Sequence, residues 1–160
     1  MTGTLYIVPT PLGNLEDITI RAIKTLFSVD GIACEDTRKT GLLLRELSKR
    51  YPDIAVTKTG ERSQRLLSLY EENEIHRIPE VMTALKNGLN IALVSDAGTP
   101  TISDPGFRLI RECIQEGIVI DSLPGPSSVT LALTFSGLPT DKFLFLGYAP
   151  RKGGHRMKFF

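Results

Sequence analysis

One stretch of the chain decides its fold: the apolar run Ile91-Ala92-Leu93-Val94, followed at once by Ser95-Asp96-Ala97-Gly98-Thr99-Pro100-Thr101-Ile102-Ser103-Asp104-Pro105-Gly106. The apolar run is typical of a buried strand. In the polar stretch, two glycines and two prolines force a shaped turn, and two aspartates and several hydroxyls offer contacts to a ligand. Such a loop adds little to a core, so we interpret it as a binding loop for a small molecule.

Strand and helix patterns alternate on both sides of this stretch. Strands are predicted at residues 5–8, 31–34, 91–94, 118–120 and 143–148, and a short one is considered at 54–57. Helical spacing, together with proline and glycine signals, predicts helices at residues 17–27, 62–73, 79–87 and 105–116. A further helix carries residues 42–47 and is stopped by Tyr51-Pro52, and another is opened by residues 124–128. The alternation indicates an α/β fold with a mostly parallel sheet and flanking helices.

The composition is that of an ordinary globular chain, with 160 residues of which 41% are hydrophobic and 23% charged. Cys34 and Cys113 lie far apart and outside any C-x-x-C spacing, which predicts buried, reduced thiols. No apolar run approaches the roughly 20 residues that span a membrane, and the N-terminus lacks the pattern of a secretory signal. A cytoplasmic protein without a membrane partner is therefore expected.

The net charge of +1 gives no global sign of nucleic-acid binding, but the basic residues are unevenly distributed. Residues 38–65 hold eight basic side chains against three acidic ones, and Arg151, Lys152, Arg156 and Lys158 follow near the end of the sequence. Two interpretations stay open for this surplus: a surface that faces phosphates, or a solvated face held by salt bridges.

Four unusual loops follow predicted strands, at residues 9–14, 35–38, 95–106 and 124–128. In open α/β sheets, ligands bind at the carboxyl ends of the strands, so the four loops together describe a crevice. Taken singly, the first is also explained as a turn and the second and fourth as helix caps. P-loop, dinucleotide-binding and nucleophile-elbow motifs are absent from the sequence, and no spacing of histidine, cysteine or carboxylate side chains predicts a metal site.

The four loops, in this order, resemble the tetrapyrrole methylase superfamily and, within it, the bacterial 16S ribosomal RNA cytidine 2′-O-methyltransferases (the small-subunit methyltransferase I family). The resemblance covers essentially the whole chain. The motifs that carry it are residues 3–15, Glu35-Asp36-Thr37-Arg38, residues 94–106, Pro124-Gly125-Pro126-Ser127-Ser128, residues 136–141 and residues 145–152. Ser-Asp-Ala-Gly-Thr-Pro at residues 95–100, in place of the superfamily's usual Gly-Asp-Pro, separates this branch from the tetrapyrrole enzymes.

The resemblance implies a two-domain α/β enzyme, usually a homodimer, that binds S-adenosylmethionine in the cleft between its domains. It places an N-terminal domain at residues 1–120 and, at residues 121–160, the start of a second α/β domain that is only partly present. The methyl acceptor would be a ribose 2′-hydroxyl of a cytidine in small-subunit ribosomal RNA, and no metal is implied.

Catalytic roles are expected for Glu35, Asp36 and Arg38. Either acid is a candidate to take the hydroxyl proton, with helix capping as the open alternative, and Arg38 is expected to hold RNA phosphate. Ser127 and Ser128, at a helix N-terminus, suit the methionine carboxylate of the cofactor. The other expected cofactor contacts come from Pro9, Asp96, Ala97, Gly98, Ile102 and Ser103.

Three functions stay open. The first is the ribosomal RNA 2′-O-methyltransferase, and the second is a methylase of a tetrapyrrole-like small molecule, which the shared fold allows. The third is an inactive, truncated binding or dimerisation module, which predicts weak or absent cofactor binding.

Overall fold

Strands and helices alternate along the part of the chain that the computed structural model describes, which comprises residues 2–55, 64–150 and 153–154. The chain divides into two compact units, one ending at Ser127 and the other beginning at Ser128. The strands of the first unit are β1 (Thr4–Ile7), β2 (Gly31–Cys34), β3 (Arg65–Ser68), β4 (Ile91–Val94) and β5 (Val119–Ser122). Its helices are α1 (Ile20–Ser28), α2 (Thr37–Arg50), α3 (Glu74–Lys86) and α4 (Phe107–Gln115), and the second unit begins with α5 (Ser128–Phe135).

The five strands form one parallel sheet in the order β3-β2-β4-β1-β5. Leu5 in β1 lies opposite Ile91 in β4 and Ile120 in β5, and Ile91 lies opposite Gly31 in β2. Because parallel strands point the same way, the loops that follow them all emerge at one edge of the sheet. The α/β prediction with a mostly parallel sheet is confirmed.

Helices cover both faces of the sheet, which explains why the central strands β2 and β4 are buried along their whole length without alternation. On one face, α1 and α2 pack against Val8, Ile32 and Val94. On the opposite face, α3 and α4 pack against Leu5 and Leu93. Both cysteines are buried and unpaired, as predicted, with Cys34 in the first of these cores and Cys113 in the second.

Side chains at the helix starts fix where the helices begin. The Asn14 side chain accepts from the backbone N–H of Glu16, which orders a short 3-10 turn over Leu15–Asp17. The Thr19 side chain accepts from the backbone N–H of Ala22 and caps α1. The helix predicted at residues 17–27 is thus a 3-10 turn followed by α1.

The helix predicted at residues 62–73 is wrong, because Arg65–Ser68 forms the edge strand β3. Leucine-rich segments favour a helix by propensity, but pairing with β2 and burial of Leu67 override that preference. Residues 62–63 of this prediction, with Lys58 and Arg62 of the basic surplus, lie outside the described residues.

Three further predictions differ from the structure. Helix α3 begins at Glu74 and not at Pro79. It continues through Pro79, which has no backbone N–H to donate within the helix but lies on its exposed side. Ile54 lies in a turn and not in a strand, and residues 56–57 are outside the described part. The apolar run at 143–148 is not a strand, because no described segment pairs with its backbone.

The second unit contains α5 and an apolar segment at residues 143–148 that is neither helix nor strand. Phe135, Leu144 and Tyr148 are among its exposed apolar side chains. Arg151, Lys152, Arg156 and Lys158 lie outside the described residues. Across the described residues, no helix combines the length and the apolar content needed to cross a membrane.

Candidate functional site

A cavity of about 390 Å³ opens at the carboxyl edge of the sheet, within the first unit. Its walls come from the segments that follow β1 and β4 and from the first turns of α2. The lining residues are Thr10, Pro11, Gly13, Leu15, Lys39, Thr40, Leu43, Ser95, Asp96 and Ala97. We refer to residues 9–14 as the β1 loop and to residues 95–106 as the β4 loop.

Backbone hydrogen bonds join the β1 loop to the β4 loop. Thr10 and Gly98 exchange both N–H···O bonds, at 2.9 and 3.0 Å, in an isolated antiparallel bridge. The buried Thr10 hydroxyl also donates to the backbone oxygen of Ser95 at 3.1 Å. The two loops therefore form one wall with a fixed shape, which is what a ligand site requires.

The segment after β5, residues 123–127, joins the same wall. The Thr99 hydroxyl donates to the backbone oxygen of Pro126 at 2.9 Å. Gly125 approaches the ring of Pro9 so closely that a Cβ at position 125 would lie 2.6 Å from Pro9 Cβ. Only glycine allows this contact without moving one of the two loops.

The β4 loop holds an unusual backbone conformation. Thr101 and Ser103 have φ angles of 73° and 64°, and Gly98 and Gly106 have φ angles of 86° and 118°. Left-handed backbone at residues other than glycine costs of order 1–3 kcal/mol each and concentrates at functional sites. The conformation of this loop is therefore imposed by its anchors, since threonine and serine do not prefer it.

At the start of α2, the side chains of Asp36 and Arg38 form an ion pair. The Asp36 carboxylate accepts from the backbone N–H of Arg38 at 2.8 Å and caps the helix. It also accepts from Arg38 Nε and a terminal guanidinium nitrogen, at 3.1 and 2.9 Å. These hydrogen bonds lower the pKa of Asp36 to about 2. Arg38 is 88% exposed, so its guanidinium remains open to solvent.

An ion pair crosses the cavity wall between α2 and the β4 loop. Lys39 Nζ lies 2.6 Å from Asp96 Oδ2, and this contact raises the pKa of Lys39. The second carboxylate oxygen, Asp96 Oδ1, is buried and has no hydrogen-bond partner among the described residues. A buried acceptor without a donor is costly, which favours a ligand that donates to it.

A third acid, Asp104, lies in the same environment. The pKa of Asp104 is raised, first by burial and then by the negative charge of Glu35. The charge of Asp96 adds a smaller increase, and a hydrogen bond from Ser95 offsets part of the shift. Glu35, which directly follows β2, thus lies near the acids of the β4 loop. No group of three or more metal-binding side chains occurs among the described residues.

The structure brings only some of the predicted site residues together. Asp96 and Ala97 line the cavity, Gly98 forms the bridge behind it, and Pro9 supports it through Gly125. Ile102 and Ser103 belong to the β4 loop but do not line the cavity, and Ser127 ends the first unit. Ser128 is the first residue of α5, in the second unit.

Sequence reasoning missed several residues of the site. Thr10, Lys39, Thr40 and Leu43 line the cavity without having been predicted. The available signal was position, because Thr10 lies in the first predicted loop and Lys39 directly follows Arg38. Nothing in the sequence marked Asp104 as an acid near Glu35, since that proximity depends on the order of the strands.

Comparison with known proteins identifies the family. A model described as "Tetrapyrrole (Corrin/Porphyrin) Methylases" matches residues 4–153. Similar proteins named "Ribosomal RNA small subunit methyltransferase I" occur in Hydrogenobaculum sp. (51% identity over 92% of this chain and 59% of the relative) and Thermotoga maritima (49% over 96% and 64%). A third, from Escherichia coli O157:H7, is 47% identical over 96% of this chain and 49% of the relative. The chain thus spans about half to two thirds of the length of these relatives.

Among solved structures, the uroporphyrin-III-C-methyltransferase of Thermus thermophilus is similar in fold. Its TM-score is 0.56 at 20% sequence identity, over 87% of this chain and 55% of that one. The likeness supports the parallel α/β architecture that carries the cavity. The family match, from residue 4 to residue 153, includes this sheet and the loops that follow its strands. The chain therefore belongs to the tetrapyrrole methylase family.

Proposed function

We propose that the protein transfers a methyl group from S-adenosylmethionine to the ribose 2′-hydroxyl of a cytidine in small-subunit ribosomal RNA. The observation that carries the proposal is the cavity at the carboxyl edge of the sheet, where joined loops surround an aspartate with an unpartnered buried oxygen. The names of the relatives supply the class of acceptor, and the motif resemblance supplies the 2′-O position. We also propose a homodimer acting in the cytoplasm, where ribosomal RNA is available.

The lining residues fit S-adenosylmethionine. A volume of about 390 Å³ lies within the range of roughly 300–1,000 Å³ for small-molecule sites. Pro11, Leu15 and Leu43 offer apolar surface to the adenosine, and the free Asp96 Oδ1 suits a cationic donor such as the ammonium group. The predicted contacts Ile102 and Ser103 would extend this site along the β4 loop.

When bound, S-adenosylmethionine supplies a methyl carbon that is activated by its positive sulfur. The protein has to align the acceptor oxygen in line with that carbon and remove the hydroxyl proton as the C–O bond forms and the C–S bond breaks. Glu35 is our candidate for receiving the proton. Asp36 is unsuited to that task, because its carboxylate caps α2 and binds Arg38.

The test is methyl transfer with a matched pair of variants. Protein is incubated with S-adenosylmethionine carrying a tritiated methyl group and with small ribosomal subunits that lack the modification. Mass spectrometry of the digested RNA is expected to find 2′-O-methylcytidine. Glu35→Gln is expected to lower the rate about 10²- to 10⁴-fold, the usual contribution of a positioned base. Asp36→Asn preserves a good N-cap and is expected to retain most of the rate.

Other outcomes contradict the proposal. Methylation of a porphyrinoid without methylation of RNA would favour the tetrapyrrole alternative. Absence of S-adenosylmethionine binding by calorimetry would favour an inactive binding or dimerisation module. Equal losses in the two variants would remove the distinction between Glu35 and Asp36.

A further inference from the structure

We propose that Glu74, at the start of α3, is a positioning residue for the β4 loop. It would fix the segment of this loop that we expect to contact the cofactor. Glu74 is the first residue of α3 and is only 5% exposed, although it carries a carboxylate. A buried carboxylate is stable only where other groups donate to it. Its donors belong to the β4 loop and α4, which links Glu74 to the site.

The contacts of Glu74 lie where the β4 loop becomes helix α4. Glu74 Oε1 accepts from the backbone N–H of Gly106 at 3.0 Å and from that of Arg108 at 3.2 Å. Glu74 Oε2 lies 3.9 Å from Arg108 Nε. Gly106, the N-cap of α4, has no side chain with which to cap the helix. Glu74 therefore supplies from another helix the acceptor that an N-cap side chain normally provides.

The turn before α3 holds Glu74 in place. The Asn73 side chain accepts from the backbone N–H of Tyr70 at 2.8 Å and donates to the backbone oxygen of Ser68 at 3.1 Å. The backbone N–H of Glu74 donates to the Tyr70 oxygen at 2.9 Å. The end of β3 is thereby connected through Asn73 and Glu74 to the end of the β4 loop.

This connection is a further anchor of the β4 loop, at its C-terminal end. Gly98 is held by Thr10, and Thr99 by Pro126. The left-handed residues Thr101 and Ser103 follow these two anchors and precede Gly106. Glu74 therefore holds the C-terminal end of the strained segment 101–105, in addition to the hydrogen bond between Ser95 and Asp104 within the loop. We infer that Glu74 fixes the backbone that presents Ile102 and Ser103 to the cofactor, an inference that rests on the proposed function.

The experiment compares three variants. Glu74→Ala removes the acceptor, Glu74→Gln keeps an oxygen for the two N–H groups, and Val81→Ala removes buried volume from α3 without altering the contacts of Glu74. Urea denaturation measures the loss of stability in each. Hydrogen exchange of the ligand-free protein measures protection of the amides of Gly106 and Arg108, which donate to Glu74, and calorimetry measures the affinity for S-adenosylmethionine.

For Glu74→Ala we expect exchange at Gly106 and Arg108 to accelerate and cofactor affinity to fall, each by about tenfold, as for loss of one buried hydrogen-bonding group. Exchange at Gly98 should not change, because its backbone N–H donates to the Thr10 oxygen. Glu74→Gln should restore both values toward wild type. Val81→Ala should lose stability while both values stay at the wild-type level.

Two results would overturn the positioning role. One is equal exchange at Gly106 and Arg108 in Glu74→Ala and Val81→Ala, and the other is faster exchange with unchanged cofactor affinity. Failure of the wild-type protein to bind S-adenosylmethionine would instead contradict the proposed function. In that case the exchange data would still decide whether Glu74 holds the loop.

Discussion

Asp36 and Asp104 lie at the same edge of the sheet, yet their carboxyl groups are in opposite situations. Hydrogen bonds from Arg38 stabilise the charged form of Asp36, and its pKa falls to about 2. Burial and the charge of Glu35 disfavour the charged form of Asp104, and its pKa rises. The cap at Asp36 is predictable because the residue directly precedes a helix. The raised pKa of Asp104 is not predictable from the sequence, because it depends on burial in the folded chain and on the charge of Glu35, which follows a different strand.

For Asp104 the pKa shift predicts the direction of a stability change. Since its folded-state pKa is raised, stability falls as pH rises from the ordinary aspartate pKa through the folded value. At pH 7 the charged carboxylate therefore destabilises the fold, and Asp104→Asn should raise the free energy of unfolding. At pH 3 the acid is protonated in both states, and this gain should disappear.

Urea denaturation at the two pH values measures the Asp104 effect. The same substitution at exposed Asp17 controls for the removal of one negative charge. A gain for Asp104→Asn that is as large at pH 3 as at pH 7 would contradict the assignment, because it could not come from ionisation.

At the level of elements, α2 presents different residues to the core, the cavity and solvent. Leu47 is buried in the core, and Lys39, Thr40 and Leu43 line the cavity. At about 100° per residue, the residues on the outward side fall within roughly 60° of arc. They are Arg38, Leu42, Arg45 and Lys49. A basic stripe therefore runs along the helix that forms one side of the cavity.

Only part of this stripe is free to bind a phosphate without breaking an ion pair. Arg38 pairs with Asp36, and Lys49 pairs with Glu46 at 2.9 Å. Arg45 is exposed and forms no ion pair with the described residues. The sequence revealed the basic surplus but left open whether salt bridges neutralise it, because partners such as Glu16, which pairs with Arg50, come from elsewhere in the chain.

If the protein acts on RNA as we propose, Arg45 should therefore contribute to RNA affinity through phosphate contact. We expect Arg45→Gln to weaken binding of small-subunit RNA and to make the slope of log affinity against log salt shallower by about 0.7–0.9. Arg111→Gln is the matched control, since Arg111 is an exposed arginine of α4, on the opposite face of the sheet, without an ion pair to the described residues. Filter binding at several salt concentrations measures both slopes, and equal changes would indicate a non-specific charge effect.

Across the first unit, one sheet separates two hydrophobic cores. The alternation of strands and helices predicted such an α/β unit from the sequence. The strand order β3-β2-β4-β1-β5 could not be predicted in this way, because it depends on pairing between segments far apart in the chain. The helix predicted at 62–73 failed for the same reason, since β3 is defined by its pairing with β2. The sheet is shared, so loss of either core removes support from the other.

The two cysteines provide one reporter in each core. Burial raises the pKa of Cys34 and raises that of Cys113 to about 11, so both thiols should react slowly at pH 8 in the folded protein. Cys113→Ala leaves Cys34 to report on the α1/α2 face, and Cys34→Ala leaves Cys113 to report on the α3/α4 face. We expect each thiol to become reactive toward an aromatic disulfide at the same urea concentration at which its own variant loses helical circular dichroism, because a small unit with a shared sheet unfolds cooperatively.

Comparing each labelling midpoint with the dichroism midpoint of the same variant removes the effect of the alanine substitution on stability. Labelling of either thiol well below that midpoint would show that its helical layer opens separately, as an independent unit of structure.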